Sequence, residues 1–396
     1  MKNGWKKVAG LGLALFASTG MACAEGDAPL LSVAEGLFDD SQPDTLGLKP
    51  APGTASFTVF APTGDENHYN HGAVPIMFKG QLYVQWQSSA RDEDAPDTAV
   101  VYSASADMRD WPAPIVMAPA RANTLVTSGG WWTDGETLVA FINVWPGWEE
   151  GLREGYAEYI TSTDGARWSE PKRVLGADGT PVPGVIEQDP HLMQVGNTGR
   201  KTGGRIIGAF HTSPGLVVTP YYTDDPLAIS GWTRGKMENL PSDSPTSREL
   251  EPSLFKRPDG AVVMIFRDQA SSFMTLASVS HDAGVTWSRP ALTPFPDART
   301  KQSAGNLPDG TVFRVSNPNA HKARFPLVLS LSDDGQHFTR AFLLRAGGAD
   351  MQPMRREGTY KRPSYSYPKS TVSGDWLYVA YATNKEDVEV TRVRFE

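Results

Sequence analysis

Two histidines three positions apart, His68 and His71, stand just before an apolar run and are candidates for proton transfer. The run leads to a turn at Gly80, and a second apolar run then ends at Gln87, with Arg91 following. Two short β-prone runs joined by a glycine turn predict a β-hairpin, whose two ends lie together. We therefore expect both histidines to lie beside Gln87 and Arg91 on one face of a sheet.

The same hairpin pattern recurs five more times along the chain. Its polar starts fall near residues 71, 127, 191, 252, 302 and 367, a mean interval of about 59 residues. A repeat of about 40 to 60 residues with four short strands in each unit is typical of a β-propeller. The count predicts six blades, with residues 56–61 pairing with residues 388–395 to close the ring.

A second repeat lies between the hairpins and has the form S-x-D-x-G-x-x-W. Residues 162–168 and 280–287 are full copies, and residues 332–338 and 105–111 are degenerate ones. In such a box Ser and Asp bond the backbone of a turn, Gly accepts a positive φ, and the aromatic ring packs between sheets. We interpret these Asp-boxes as structural turns at the outer edge of the blades.

Composition agrees with an all-β protein that does not bind nucleic acid. The 396 residues include 38 Gly and 31 Pro, and no long amphipathic helical period is evident. The net charge of −8 lacks the basic excess that a nucleic-acid partner needs. We expect one propeller domain over residues 25–396, acting as a monomer.

Residues 1–24 have the pattern of a signal peptide. Basic residues precede an apolar run, and Ala22-Cys23-Ala24 supplies small residues for cleavage after Ala24. The apolar run is too short to span a membrane, so we expect no integral membrane segment in the mature chain. The protein is then periplasmic or secreted, with lipid attachment at Cys23 as an alternative.

In a propeller, all the polar starts and ends of these hairpins meet at one mouth of the central channel. A concave ring of His, Tyr, Arg, Lys and amide groups suits a glycan that carries acidic sugars. No ligand spacing supports a metal site, although His68, His71 and His191 leave a divalent metal as an alternative, and we expect no required cofactor. The catalytic candidates are His71, His68, His211, Arg267 and Tyr365, and the substrate-binding candidates are Trp86, Gln87, Arg91, His191, Gln269, Lys301, Gln302, Asn317, Tyr367 and Lys369.

Several longer segments resemble one group of propeller enzymes. The segments HYNHG, FKGQLYVQW, EPSLFKRPDGAVVMIFRDQ and KQSAGNLPDGTVFRVSNP look like those of ulvan lyases, rhamnose–glucuronate lyases and an α-L-rhamnosidase. The Asp-boxes alone resemble the wider sialidase superfamily. The resemblance implies seven blades rather than six, proton transfer by His and Tyr, and an Arg that neutralises a uronate. By motif it assigns His71 to the Asn-His start and Arg267 to the carboxylate.

The leading hypothesis is a polysaccharide lyase that cleaves a rhamnose–glucuronate type linkage by β-elimination. Arg267, helped by Lys301 or Arg91, would neutralise the carboxylate. His71 would take the α-proton, with His68 or His211 as alternatives, and an acid would protonate the leaving oxygen. That acid is Tyr365 or the same histidine, and Trp86 would stack on a sugar or fill the core.

Three alternatives remain open. The first is an α-L-rhamnosidase on the same linkage, which would use His rather than paired carboxylates. The second is a sialidase, which would want an arginine triad and a Tyr–Glu nucleophile pair, and no Arg-Ile-Pro segment precedes the first blade. The third is a propeller that binds a glycan without cleaving it.

Overall fold

The computed structural model describes residues 28–188, 204–213 and 215–395, and the backbone of residues 191–193. The predicted signal peptide lies outside these residues. Within them the chain forms one two-stranded sheet and six larger sheets, and the six larger sheets are arranged as a six-bladed β-propeller. The repeat count is therefore confirmed, and the seven blades implied by the resemblance are wrong for this chain.

Two strands precede the blades, namely β1 (Ser32–Val33) and β2 (Ala55–Phe60). The first three blades then follow in chain order, each from its inner to its outer strand. Blade 1 holds β3 (Tyr69–Phe78), β4 (Gln81–Ser89), β5 (Ala99–Ser105) and β6 (Ile115–Ala118). Blade 2 holds β7 (Thr124–Thr133), β8 (Leu138–Pro146), β9 (Tyr156–Ser162) and β10 (Lys172–Arg173). Blade 3 holds β11 (Gly184–Ile186), β12 (His191–Met193), β13 (Arg205–Thr212), β14 (Val217–Thr223) and β15 (Thr233–Arg234).

The last three blades repeat the plan. Blade 4 holds β16 (Glu249–Lys256), β17 (Val262–Asp268), β18 (Met274–Ser280) and β19 (Ala291–Pro296). Blade 5 holds β20 (Ser303–Asn306), β21 (Val312–Ser316), β22 (Leu327–Ser332) and β24 (Arg340–Arg345), while β23 (His337–Phe338) pairs with β1. Blade 6 holds β25 (Tyr365–Ser373), β26 (Trp376–Thr383), β27 (Asp387–Arg394) and β2. Two short 3-10 helices cover Trp148–Glu150 and Gly348–Asp350.

The ring closes where the sequence predicts, because N-terminal β2 pairs antiparallel with C-terminal β27. Blade 6 is thus built from both ends of the described chain, which holds the first and last blades together without a free edge. Among the described residues no helix has the length and apolar character to cross a bilayer.

The hydrophobic core lies between blades. Six buried clusters each join residues of two neighbouring sheets, such as Phe141 of blade 2 with Phe210 of blade 3. The Asp-box turns lie at the outer edge, as predicted. In the first full copy the Ser162 hydroxyl accepts from Gly165 N at 2.8 Å, and the Trp168 ring packs against Trp131. These turns hold the blades together and lie away from the mouth.

Candidate active site

The predicted hairpin geometry brings the polar strand ends to one mouth of the channel. His71 pairs with Gln87 across β3 and β4, and Leu250 pairs with Arg267 across β16 and β17. Each pair joins the start of an inner strand to the end of the second strand of its blade. The pattern repeats around the ring, so these side chains converge on the axis.

Irregularities in the inner strands then point particular side chains into the mouth. The register shifts after His71 in β3, after Leu250 in β16 and after Ser366 in β25. Glu251 and Tyr367 lie inside two of these bulges with φ of 53° and 54°, a left-handed conformation that non-glycine residues seldom adopt. Bulges and such strained residues occur preferentially at functional sites, where they redirect a side chain.

The mouth contains a cavity of about 860 Å³, including space open to solvent. It is polar on one side, where Tyr367, Glu251, Lys301 and His71 meet. On the opposite side it is apolar. This combination of polar and apolar lining suits a sugar ring with its substituents. The remaining polar lining comes from Gln87, Glu93, Asp94, Thr127, Ser128, Asn143, Arg153, Glu187, Gln188 and His211.

A tyrosine, a glutamate and an arginine form the centre of the polar side. The Tyr367 hydroxyl hydrogen-bonds to the Glu251 carboxylate and accepts a hydrogen bond from Arg267 Nη1 at 3.0 Å. The same Nη1 donates to Glu251 Oε2 at 2.9 Å. All three groups are largely buried, so their mutual contacts replace the water they would otherwise bind.

Burial and charge fix the protonation of this cluster. Burial alone would raise the pKa of Glu251, but Arg267 and Lys301 outweigh it and bring that pKa to about 2. Burial raises the pKa of Tyr367, and the Glu251 charge raises it further. At neutral pH the pair is therefore a protonated phenol that is hydrogen-bonded to a carboxylate.

Three more arginines surround Tyr367. Arg324 lies with its Cζ 5.2 Å from the centroid of the Tyr367 ring and is buried. Burial, and then the charges of neighbouring arginines, lower the pKa values of Arg299 and Arg362. These arginines therefore lie close enough to repel one another electrostatically. In the part of the chain that the structure describes, none of the three forms an ion pair with a carboxylate. Such an excess of positive charge, with Arg324 buried and the other two arginines partly buried, favours an anionic ligand.

His71 lies against the other face of this cluster. Its ring centroid is 4.3 Å from that of Tyr367, and the two ring planes are tilted by 41°. Burial, then Lys385, Arg324 and Lys301, lower the pKa of His71 well below its usual value. Neither ring nitrogen has a hydrogen-bond partner among the described residues. His71 is therefore a neutral imidazole that lines the cavity.

Lys301 joins the channel centre to blade 3. Its Nζ contacts Glu187 and donates to Gln188 Oε1 at 2.6 Å. The His211 ring stands on the other side of Glu187, with Nδ1 3.7 Å from Oε2. Glu187 and Gln188 lie in the break between β11 and β12, so the interruption of this inner strand turns their side chains toward the mouth.

An acidic pair, Glu93 and Asp94, approaches the cavity from the loop between β4 and β5. Glu93 forms an ion pair with Lys385. Burial, followed by the Glu93 charge, raises the pKa of Asp94 to about 6. A cavity carboxyl with such a pKa holds a proton in mildly acidic solution, as a general acid must.

The apolar side of the cavity is an aromatic and aliphatic wall. Trp145 and Trp148 pack at 6.0 Å between ring centroids, and Leu125 and Val185 lie beside them. Arg153 lies over the Trp148 ring at 3.6 Å. This wall suits an apolar substituent of a sugar, such as a methyl or acyl group.

The structure brings together only part of the predicted site. Five candidates line the cavity, namely His71, Gln87, His211, Lys301 and Tyr367, and Arg267 contacts two of its residues. His191 lies in β12, and its side chain is outside the described residues. Among the same described residues, no three His, Cys, Asp or Glu side chains are grouped as metal ligands.

Two predicted roles are wrong because the side chains are buried elsewhere. Trp86 is fully buried in the cluster between blades 6 and 1, and its Nε1 donates to Asn70 Oδ1 at 2.9 Å, so it cannot stack on a sugar. Tyr365 is buried between blades 5 and 6, where its hydroxyl donates a hydrogen bond to Ala346 O at 2.9 Å. It contributes no acid to the mouth.

The remaining candidates lie around the mouth without lining the cavity. Arg91 is exposed at the rim, where its Nε donates to Glu357 O at 3.3 Å. The His68 Nε2 lies 3.1 Å from Gly64 O. The other four are partly or fully buried within their blades, namely Gln269, Gln302, Asn317 and Lys369.

Several important residues escaped the sequence reasoning. Glu251 stands at the polar start of the hairpin near residue 252, where the sequence assigns it no role, and no motif marks Arg324 or Asp94. The available signal for Asp94 was its position in an acidic run just after a second strand. For Arg324 no local signal exists, because it lies in the loop before β22.

Comparisons with known proteins agree with the architecture. A solved structure named sialidase superposes with a TM-score of 0.64 at 18% identity, covering 92% of this chain but 35% of that protein. A Dyadobacter fermentans protein of unknown function gives 0.64 at 16% identity, covering 87% of this chain and 100% of that one. The leech intramolecular trans-sialidase gives 0.62 at 14% identity, with 86% and 70% covered. At these identities the likeness concerns the fold.

This chain spans about a third of the first of these proteins. No curated protein gives a match. The family model described as BNR repeat-like domain matches residues 80–379, well over half of the sequence. The chain therefore belongs to the family of BNR repeat-like domain proteins.

Proposed function

We propose that this protein is a glycoside hydrolase that removes a carboxylate-bearing sugar, with Tyr367 as its nucleophile. The observation that carries the proposal is the position of the Tyr367 hydroxyl, which bonds both the Glu251 carboxylate and the Arg267 guanidinium inside the cavity. Tyrosine replaces a carboxylate as nucleophile in sialidases, where an anionic sugar would repel a charged group.

The reaction follows from the groups present. The Tyr367 oxygen attacks the anomeric carbon and Glu251 takes the phenol proton, while Asp94 gives its proton to the departing glycosidic oxygen. Water then attacks the same carbon and yields its proton to Asp94. The bond to Tyr367 breaks, and its oxygen recovers the proton from Glu251. Both steps pass through an oxocarbenium-like transition state.

The arginine cluster supports an acidic substrate. Arg324 and Arg299 lack acidic partners among the described residues, so a sugar carboxylate would supply the missing charge. Binding it would also weaken the positive field that keeps Glu251 ionised and so raise its affinity for the Tyr367 proton. The Trp145–Trp148 wall would accept an acyl or methyl group. Sialosides are the first substrates to test, because the solved neighbours include sialidases.

The lyase and the rhamnosidase remain second candidates, and His71 is the observation that favours them. A neutral imidazole without partners among the described residues, stacked on a protonated tyrosine, could serve as a base. However, β-elimination builds negative charge next to the sugar carboxylate. Glu251, held ionised in the same cluster, opposes that charge and favours a cationic transition state.

The proposal extends to the setting of the protein. We propose that it acts in the periplasm or as a secreted protein, which the pattern of residues 1–24 supports, and that it acts as a monomer without a required cofactor.

The deciding experiment incubates the full chain with aryl and natural sialosides and with uronate-containing polysaccharides, ulvan included. Release of a reducing acidic sugar without absorbance near 235 nm is expected. A rise at 235 nm would establish elimination, and free rhamnose without that absorbance would establish the rhamnosidase. If none of these products forms but the protein still binds the glycan, the protein is a propeller that binds a glycan without cleaving it.

Matched variants assign the nucleophile. Tyr367→Phe and Glu251→Gln should each lower kcat/KM by at least about a thousandfold, because the attacking oxygen or its base is lost. Tyr156→Phe, on the third strand of blade 2 beside Arg173, is the control and should leave the rate unchanged. A 2-fluoro or 3-fluoro substrate analogue with a reactive leaving group should leave a covalent sugar on Tyr367, found by mass spectrometry.

A further inference from the structure

The tip of the hairpin between β26 and β27 is an unusual turn. Asn384 and Lys385 have φ of 58° and 56°, and Glu386 N donates to Thr383 O at 2.9 Å. The loop has three residues, because Thr383 pairs with Asp387, and positive φ at the two central positions of its turn is typical of type I′, whose second central position favours glycine. A lysine seldom adopts this conformation, and such residues occur preferentially at functional sites.

The Lys385 side chain leaves its own blade and crosses to blade 1. Its Nζ forms an ion pair with Glu93, and 3% of the lysine side chain is exposed. Its backbone is fixed as well, because Lys385 O accepts from Asn70 N at 2.9 Å, next to His71. The contact therefore joins the last blade to the first at the mouth of the channel.

Glu93 belongs to the loop that carries Asp94. The preceding residue is anchored, since Asp92 Oδ1 accepts from Thr359 N at 2.7 Å and Ser89 Oγ donates to Asp92 O at 2.6 Å. Asp94 itself has a φ of 59° and lines the cavity. The loop is thus held at Asp92 and at Glu93, and the next residue turns into the site.

Three charged groups act on the Asp94 carboxyl. Apart from burial, Glu93 raises its pKa, whereas Lys385 from blade 6 and Arg153 from blade 2 lower it. The Glu93–Lys385 pair therefore places two opposing charges beside Asp94. The burial of Lys385 lowers its own pKa to about 8, so the lysine keeps its charge in mildly acidic solution.

We propose that Glu93 and Lys385 are a positioning pair that fixes the loop carrying Asp94 against the last blade and balances the charge around its carboxyl. This role rests on the proposed function of Asp94 as the acid. The charges of the pair also reach the nucleophile side, because Glu93 raises the pKa of Tyr367 and Lys385 lowers that of His71. In the folded protein the pair would keep the acid at one place and at one protonation state.

The test measures Asp94 directly, independently of any activity. In full-length protein labelled with 13C at Asp carboxyls, the Asp94 resonance is identified by its loss in Asp94→Asn and titrated from pH 4 to 8. Lys385→Met should move its midpoint up and Glu93→Gln should move it down, each by about half a pH unit or more. Lys385→Arg should restore the wild-type midpoint. Unchanged midpoints, or shifts in one direction for both variants, would overturn the inference.

Kinetics then separate this inference from the proposed function. If the enzyme cleaves sialosides, Lys385→Met should lower the rate of hydrolysis at least tenfold for natural glycans but less than threefold for aryl glycosides with good leaving groups. Only the natural glycans need an acid to protonate the leaving oxygen. Lys79→Met, which removes an exposed ion pair with Glu136 at 3.4 Å on the opposite face, is the control. If the two variants shift the Asp94 midpoint in opposite directions but the protein has no hydrolase activity, the charge balance around Asp94 is retained and the proposed function is rejected.

Discussion

The imidazole of His71 packs on the ring of Tyr367, with 4.3 Å between the ring centroids. The contact joins blade 1 to blade 6 in the channel, and it forms because a bulge in each inner strand turns one of the two side chains inward. This contact is compatible with two roles for His71, as a packing partner of Tyr367 and as a base. A packing role needs the ring only, whereas a base needs its nitrogens.

Substitution at His71 separates the two roles. His71→Phe keeps the stack on Tyr367, so we expect kcat/KM on sialosides within about threefold of wild type, while His71→Ala should lose about tenfold because the phenol is no longer held. Initial rates and substrate affinities of the three proteins check this. An inactive but folded phenylalanine variant would show that an imidazole nitrogen takes part and would favour elimination.

Arg267 should be required for folding as well as for catalysis. Arg267→Met leaves the buried Glu251 without its partner, and breaking a buried ion pair on one side costs about 3 to 5 kcal/mol. Urea unfolding measures this cost. Arg340→Met, which removes an exposed pair with Asp333, should cost less than about 1 kcal/mol. Equal losses of unfolding free energy in the two variants would contradict the conclusion that Arg267 compensates the buried charge of Glu251.

The fold could be predicted because propeller blades repeat. Strand alternation, glycine turns and Asp-boxes are local signals, and their period gave the blade number and the pairing of β2 with β27. The side of a strand on which each side chain lies is less predictable. Alternation would place Tyr365 and Tyr367 on the same side of β25, but the shift after Ser366 separates them, so one enters the core and the other the cavity.

The site depends on features that have no period. Trp86 and Gln87 are neighbours on β4, and only the paired blade decides that the tryptophan packs toward blade 6 while the amide reaches the cavity. Asp94 and Arg324 stand in loops, where sequence spacing says nothing about direction. The role of Glu251 follows from its contact with Tyr367, more than a hundred residues away along the chain.

Trp86 should contribute to stability and not to catalysis. Trp86→Ala would open a cavity between blades 6 and 1 and is expected to cost about 3 to 5 kcal/mol of unfolding free energy. At a temperature where the variant stays folded, its kcat/KM should match wild type. A variant that keeps its stability but loses affinity for glycan would instead favour the alternative in which Trp86 stacks on a sugar.

The stability of the protein should fall in acid partly through His71. Its pKa is well below 6.5 in the folded protein, mainly because of burial, so between that value and 6.5 the unfolded chain binds more protons. The stabilisation is present above pH 6.5 and is lost as pH falls, by up to about 1.4 kcal/mol for each pH unit. His71→Gln removes this dependence, because glutamine does not titrate.

Urea unfolding of wild type and His71→Gln at pH 7.5, 6.5, 5.5 and 5.0 tests the point. The free-energy difference between the two proteins should shift in favour of the variant as the pH falls. Trp86→Phe is the matched control, since it removes no titratable group and its offset from wild type should stay constant across the series. A constant offset for His71→Gln as well would mean that the folded protein accepts a proton on His71, which the surrounding Lys385, Arg324 and Lys301 oppose.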